Sequence, residues 1–305
     1  MVKSERSRPH VMLAVRCPAK LNLFLEVVGK RADGYHDLDT VMQAIGLCDE
    51  LRITPGEEGE EVSLACSEAS LPTDSRNLAV RAALALRERT GCRRGARLEL
   101  AKRIPMQAGL GGGSSDAAGA LAGLNRAWGL GLATEELRDV AASVGSDVAF
   151  FLYGGTARCT GRGEIVEPAA APAVFHYVLV CPRVGVSTAE AFARLGALTY
   201  PRASASILLA QIAEGSVEGT GRRLFNRLED AALALRPELH EVKERLARTG
   251  LFAGVGMTGS GSGVFGLCRP DDWERAHDTA ARLGLGDVYA VRSVHDGVGV
   301  GPTAT

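Results

Sequence analysis

The chain has 305 residues, 46% hydrophobic and 23% charged, enough for one large globular domain or two ordinary ones. A net charge of −1 speaks against a nucleic-acid or acidic-membrane surface, so neither nucleic acid nor membrane is expected as a partner. Seven scattered cysteines without a CxxC pair speak against a thiolate metal site and read as reduced, mostly buried thiols of a cytoplasmic protein.

The basic start MVKSERSRPH is followed only by VMLAV before Arg16, an apolar run too short for the core of a signal peptide. From 11 to 28, Leu21, Leu23, Leu25 and Val27 alternate with Asn22, Phe24 and Glu26, the period of a strand with one buried face. Asp33-Gly34 signals a turn, and TVMQAIGLCDELRITP returns as a second strand. A helix is expected from Asp74 or Ser75 to Gly91, a fitting C-terminal cap. ARLELAKRIP alternates with Ala96, Leu98 and Leu100 on one face.

PMQAGLGGGSSDAAGALAGL follows, from Pro105 to Leu124, and then a helix capped by Thr134 and closed by Gly145. SDVAFFLYGGTARCTGRGEIVEP reads as a short apolar element and a turn-rich strand. The Ala/Pro stretch at 168–173 divides the chain into domains 1–168 and 169–305, with the last strand free to return to the N-terminal half. Beyond it come a central strand (174–180) and helical patterns from Ser187, from Ser204, and from Gly221 to Arg248 with a break at Pro237. Two strands around the turn TGSGSG, a helix in DWERAHDTAARLG and a last strand DVYAVRSV complete an α+β half.

The glycine loop meets neither common nucleotide pattern. No lysine precedes Ser114 or Ser115, so the P-loop fails, and the sixth position counted from Gly109 is Ser114, so G-x-G-x-x-G fails. Its chemistry still favours an anion: Gly109, Gly111, Gly112 and Gly113 let backbone N–H groups converge, and the helix that follows offers unpaired N–H groups and the positive end of its dipole. A flexible strand-to-helix connection is the alternative.

PMQAGLGGGSSDAA resembles the phosphate-binding motif of the GHMP kinases. CPAKLNLFLEVVGKRADGYHDLDTVMQ, GSDVAFFLYGGTARCTGRGE and MTGSGSGVFGL resemble, in order, the signatures of one branch, the 4-(cytidine 5′-diphospho)-2-C-methyl-D-erythritol kinases of the non-mevalonate isoprenoid pathway. The resemblance implies an N-terminal domain like ribosomal protein S5 domain 2, a ferredoxin-like C-terminal domain, and transfer of phosphate from ATP with Mg²⁺ to the 2-hydroxyl of a small cytidine diphosphate substrate. The protein would be a monomer or homodimer.

Read alone, Lys20 is an exposed strand lysine and Asp147 a turn cap; the resemblance makes them the catalytic pair, Asp147 taking the hydroxyl proton and Lys20 orienting it. Pro105, Met106, Gln107, Ala108, Gly109, Leu110, Gly111, Gly112, Gly113, Ser114 and Ser115 would hold ATP, with Ser115 a candidate Mg²⁺ ligand and Asn77 and Lys102 bordering the adenine. Tyr35, His36 and Phe192, otherwise a hairpin turn and a core residue, would read the cytosine by stacking and a ring nitrogen. Asn22 and Gly259 would complete the substrate site.

Two letters depart from the resemblance: Gln107 stands where glycine is usual, and Arg227 in FNRLED where aspartate is common. A GHMP kinase for another alcohol, diphosphomevalonate decarboxylase and a non-catalytic nucleotide-binding regulator are the rivals. DGYH with Phe192 argues against the first two, and Lys20 with Asp147 against the third.

Overall fold

The structure, a computed structural model, describes residues 12–195 and 203–302; the basic N-terminal run lies outside them. Strands β1 (Leu13–Lys30) and β2 (His36–Glu58) form a long antiparallel hairpin closed at Gly34, whose φ of 88° suits glycine. A strand–helix–strand unit follows, β3 (Val62–Cys66), α1 (Leu78–Thr90) and β4 (Arg94–Ala101), with β3 and β4 parallel. Helix α1 starts later than the sequence suggests, because Asn77 caps it: its side-chain oxygen accepts from Ala79 N at 2.9 Å.

Helices α2 (Gly112–Ala127), α3 (Thr134–Val144) and α4 (Val148–Tyr153) come next, then β5 (Thr156–Gly161) and β6 (Ile165–Ala169). Thr134 is not the cap of α3. Ala133 is, and Glu136 reaches back to accept its N–H at 2.9 Å.

The second half runs through β7 (His176–Cys181), α5 (Thr188–Ala193), α6 (Ala205–Ala213), α7 (Val217–Gly221), β8 (Phe225–Asn226), α8 (Glu229–Leu235) and α9 (Glu238–Ala247). It ends with β9 (Gly254–Met257), β10 (Val264–Cys268), α10 (Trp273–Arg282), β11 (Asp287–Arg292) and β12 (Gly299–Pro302). The helical pattern expected from Gly221 resolves into a short strand and two helices, with Pro237 as the N-cap of α9.

The second sheet is antiparallel with order β11-β7-β10-β9, which in its own chain order is fourth, first, third, second, the ferredoxin-like arrangement. The first sheet has eight strands, and β8 and β12 from the second half both pair with β1 in it. β12 lies in HDGVGVGP, where glycines hide any alternation.

One face of the first sheet carries α1 to α4 over a core that includes Val15, Cys17, Leu51, Ile53, Ala118, Leu121 and Phe150. The small residues of α2 allow that approach: a Cβ on Gly119 would sit 2.5 Å from Cys17 Sγ. The other face packs Leu21, Leu23, Val41 and Ile45 against Phe175, Tyr177, Leu179 and Phe265 of the second half. β1 is therefore buried on both faces from Cys17 to Leu25, not on one as its alternation suggests. Burying each such large side chain is worth about 1.5–3 kcal/mol, and this shared core holds the two sheets together.

Candidate active site

An irregularity in the pairing of β1 with β2 aims the first candidate residue. That pairing shifts between Pro18 and Ala19, and a bulge turns the following side chains to the opposite face. Val15 and Cys17 accordingly face the helices, whereas Ala19, Leu21 and Leu23 face the second half. Lys20 thereby joins the helix side, where the glycine loop lies: its stem passes under Gly111 and its backbone N–H donates to Leu110 O at 3.0 Å.

The Lys20 ammonium, almost fully buried, donates to Asn22 Oδ1 and to Gly109 O at 2.7 Å, and lies 3.9 Å from Asp147 Oδ2. Burial pushes its pKa below the usual lysine range, and the Asp147 carboxylate opposes that shift. Asn22 is held in turn, its amide donating to Thr40 Oγ1 at 2.9 Å. Both ends of its side chain are taken up inside the protein.

Asp147 occupies the N-cap position of α4 but makes no capping hydrogen bond from its side chain. The aspartate therefore does not serve as a side-chain cap. Its carboxylate stays partly exposed, facing Lys20 and the β5–β6 turn at Gly163.

The glycine loop needs its glycines for two reasons. Gly109 and Gly111 have φ of 72° and 71°, in the left-handed region. Gly109 also presses on the backbone of the TGSGSG turn, where a Cβ would overlap the Thr258 carbonyl, and a Cβ on Gly111 would meet the Phe151 ring at 2.8 Å. Gly111 is the N-cap of α2, and the first intrahelical bond runs from Ser115 N to Gly111 O at 2.9 Å. The N–H groups of Gly112, Gly113 and Ser114 thus fall in the turn that helix geometry leaves unpaired.

Gln107 explains its own oddity. It is the only non-glycine among the described residues with positive φ, at 54°, which is why glycine suits the position. An L-residue there costs roughly 1–2 kcal/mol. Its carbonyl accepts from Ser262 N at 3.3 Å, and its side chain lies against Gly185.

Below the loop, Lys102 bridges two buried carboxylates, Asp49 and Asp116, the latter at 2.7 Å. Asp49 also accepts from the N–H groups of Arg103 and Ile104 at 2.5 and 2.9 Å. Burial pushes the Asp116 carboxyl up to about 7, with Lys102 opposing and Asp49 adding to the shift. Lys102 and Asn77 stand in the cleft wall, but their polar groups are engaged internally: the Asn77 amide donates to Pro72 O at 2.9 Å while its oxygen caps α1.

At the far end of the cleft the β1–β2 hairpin presents Tyr35 and His36. The ring of His36 stacks on Phe192 of α5, centroids 5.0 Å apart at 24°. Burial and Lys30 hold the His36 pKa below its usual range, keeping the ring neutral at pH 7. Tyr35 is exposed and backed by the Arg162 guanidinium, 5.0 Å from its ring centroid. Arg162 escaped the sequence reading because it lies in a hairpin turn distant in the chain.

Apart from Ser115, every candidate site residue lines one cleft of 1790 Å³, large enough for two sizeable ligands. Ser115 is fully buried beside it, its hydroxyl without a hydrogen-bond partner. Asn226 pins the far glycine turn, donating to Met257 O at 2.8 Å and Gly259 O at 2.7 Å. The neighbouring Arg227 points away from the cleft and pairs with the buried Glu26 at 2.5 Å. Among the described residues no cluster of three or more His, Cys, Asp or Glu could hold a metal, and no helix is long and apolar enough to cross a membrane.

Residues 77–155 match the family described as GHMP kinases N terminal domain and residues 208–284 the one described as GHMP kinases C terminal. A 4-diphosphocytidyl-2-C-methyl-D-erythritol kinase of Shouchella clausii is 40% identical over 92% of this chain and 94% of its own length. One from Geobacillus thermodenitrificans is 41% identical over 92% and 96%. A crystal structure of a 4-(cytidine 5′-diphospho)-2C-methyl-D-erythritol kinase superposes with a TM-score of 0.76 at 36% identity, covering 92% of this chain and 98% of that one. Homoserine kinase from Cytophaga hutchinsonii, 20% identical over 96% of this chain and 98% of its own, shares the fold with the same TM-score of 0.76.

Proposed function

The chain belongs to the GHMP kinases, within the 4-diphosphocytidyl-2-C-methyl-D-erythritol kinases, and from that premise we propose that Asp147 and Lys20 carry the transfer of phosphate from ATP to the substrate's 2-hydroxyl. The observation that carries this reading is the Asp147 carboxylate, unused as a cap, 3.9 Å from a buried lysine beneath the glycine loop.

Phosphoryl transfer asks for positioning, a proton acceptor and neutralisation of charge. Asp147 takes the hydroxyl proton as the oxygen bonds to the γ-phosphorus and the bond to ADP breaks. Lys20 holds that carboxylate in place and opposes the charge that develops on the transferred group. The free N–H groups at the start of α2 hold the phosphate chain, so the loop needs no lysine of its own. Asn22 orients Lys20. Thr258 braces both partners of that lysine by accepting from Asn22 N at 3.1 Å and donating to Gly109 O at 3.1 Å, and Tyr35, His36 and Phe192 grip the cytosine.

Mg²⁺ fits this donor set in a modest way. The Ser115 hydroxyl is orphaned and buried at the loop, so it would supply one ligand, the rest coming from phosphate oxygens and water. When bound, the ion neutralises phosphate charge. A phosphorus NMR assay with ATP and 4-diphosphocytidyl-2-C-methyl-D-erythritol tests the reading: a new phosphomonoester on the 2-hydroxyl is expected, and hydrolysis of ATP without transfer would contradict it.

A further inference from the structure

Three loops meet at Gln107. Its carbonyl binds Ser262 in the TGSGSG turn at 3.3 Å, and its side chain occupies the place a Cβ on Gly185 would take. Gly185 lies in the segment between β7 and α5, and Arg236 holds that segment from its other side, donating to Gly185 O at 3.1 Å. The segment and the first residue of α5 also touch the turn directly. Thr188 Oγ1 is 2.9 Å from Ser260 Oγ, and a Cβ on Gly261 would lie 3.4 Å from Val186 Cγ2. One helical turn beyond Thr188, on α5, is Phe192, stacked on His36.

We propose that Gln107 is a positioning residue that ties the phosphate loop to the 182–187 segment, so that nucleotide held at the loop fixes Phe192 and tightens capture of the cytidine end. This rests on the proposed function, in which the loop takes ATP and Phe192 the cytosine. A glycine at 107 would accept the left-handed backbone more easily but would leave Gly185 without this neighbour. The side chain is what makes the difference. Both sites then bias one packed element, which is the physical requirement for coupling between them.

The geometry supplies its own control. The three nearest atoms to a Cβ at 185 belong to the Gln107 side chain, and the nearest is its terminal oxygen. Gly185 also lacks a positive φ. Gly185→Ala therefore displaces the carboxamide without disturbing the backbone, and it should be silent where residue 107 is glycine.

The test is calorimetric titration of cytidine diphosphate into the full chain, with and without saturating adenylyl imidodiphosphate, beside thermal melting. In the unaltered protein the adenine nucleotide should tighten cytidine diphosphate by about fivefold or more, the lower end of ordinary coupling. Gln107→Gly should reduce the factor to near one while Tm stays level or rises. Gly185→Ala should do the same, and the double variant should lose nothing further. An unchanged factor in Gln107→Gly overturns the proposal, as does an effect of Gly185→Ala as large in the Gln107→Gly background as in the original. If the unaltered protein binds no cytidine diphosphate, the proposed function itself fails; if it binds but shows no coupling, only this inference fails.

Discussion

The Lys20 ammonium lies 3.9 Å from the Asp147 carboxylate, yet its hydrogen bonds go to Asn22 and to the Gly109 carbonyl. The lysine is thus fixed by the protein, and the aspartate keeps its oxygens free for a hydroxyl. Asp147→Asn keeps the shape and removes the base. It should lower kcat by about 10²–10⁴-fold while ATP binding, read by calorimetry, stays within a few-fold of the original.

Lys20 also sets a pH limit. Burial lowers its pKa from 10.5, so its charge is lost as pH rises through that depressed value. Turnover should fall on the alkaline side below 10.5. Lys20→Arg, which does not deprotonate in this range, should be slower at pH 7 but should lack the alkaline limb in a kcat–pH profile.

Gly109→Ala should damage the site as a backbone effect. Its φ is 72° and the new Cβ would overlap the Thr258 carbonyl. Strain and clash together should destabilise the fold by about 2 kcal/mol or more, read as a lower midpoint in urea, with a raised KM for ATP.

Phe192→Ala should leave the chemistry intact and weaken the cytidine end. Loss of one aromatic face against a base costs about 1–3 kcal/mol, roughly 5- to 150-fold in KM for the cytidine substrate. The KM for ATP should change far less, and a comparable rise for both substrates would contradict the assignment.

Arg227→Asp would set a carboxylate against the buried Glu26, now paired with Arg227 at 2.5 Å. Breaking a buried pair costs about 3–5 kcal/mol, so this variant should melt well below the original. Adding Glu26→Gln should recover part of the loss.

Much of this was legible in the sequence where the signal is local. The alternation in β1, the Asp33-Gly34 turn, the Gly91 cap and the glycine loop before α2 each depend on neighbours a few residues apart. The facing of β1 was not legible, because the shift at Pro18 and Ala19 reverses the alternation without altering any letter pattern. The Lys20–Asp147 meeting was implied only by the family resemblance and by no local pattern, because it is made by a shift in strand pairing at one point and a helix start at another. Gln107 stood out as a wrong letter, but its backbone sign and its contact with Gly185 exist only in three dimensions.

The central claim is that the cleft serves a cytidine diphosphate alcohol and not a plain one. Initial rates of ADP formation, measured side by side with 4-diphosphocytidyl-2-C-methyl-D-erythritol, homoserine and mevalonate, test it most directly. The account predicts turnover with the cytidine compound and background rates with the other two; phosphate transfer to homoserine or mevalonate, with none to the cytidine compound, would contradict it.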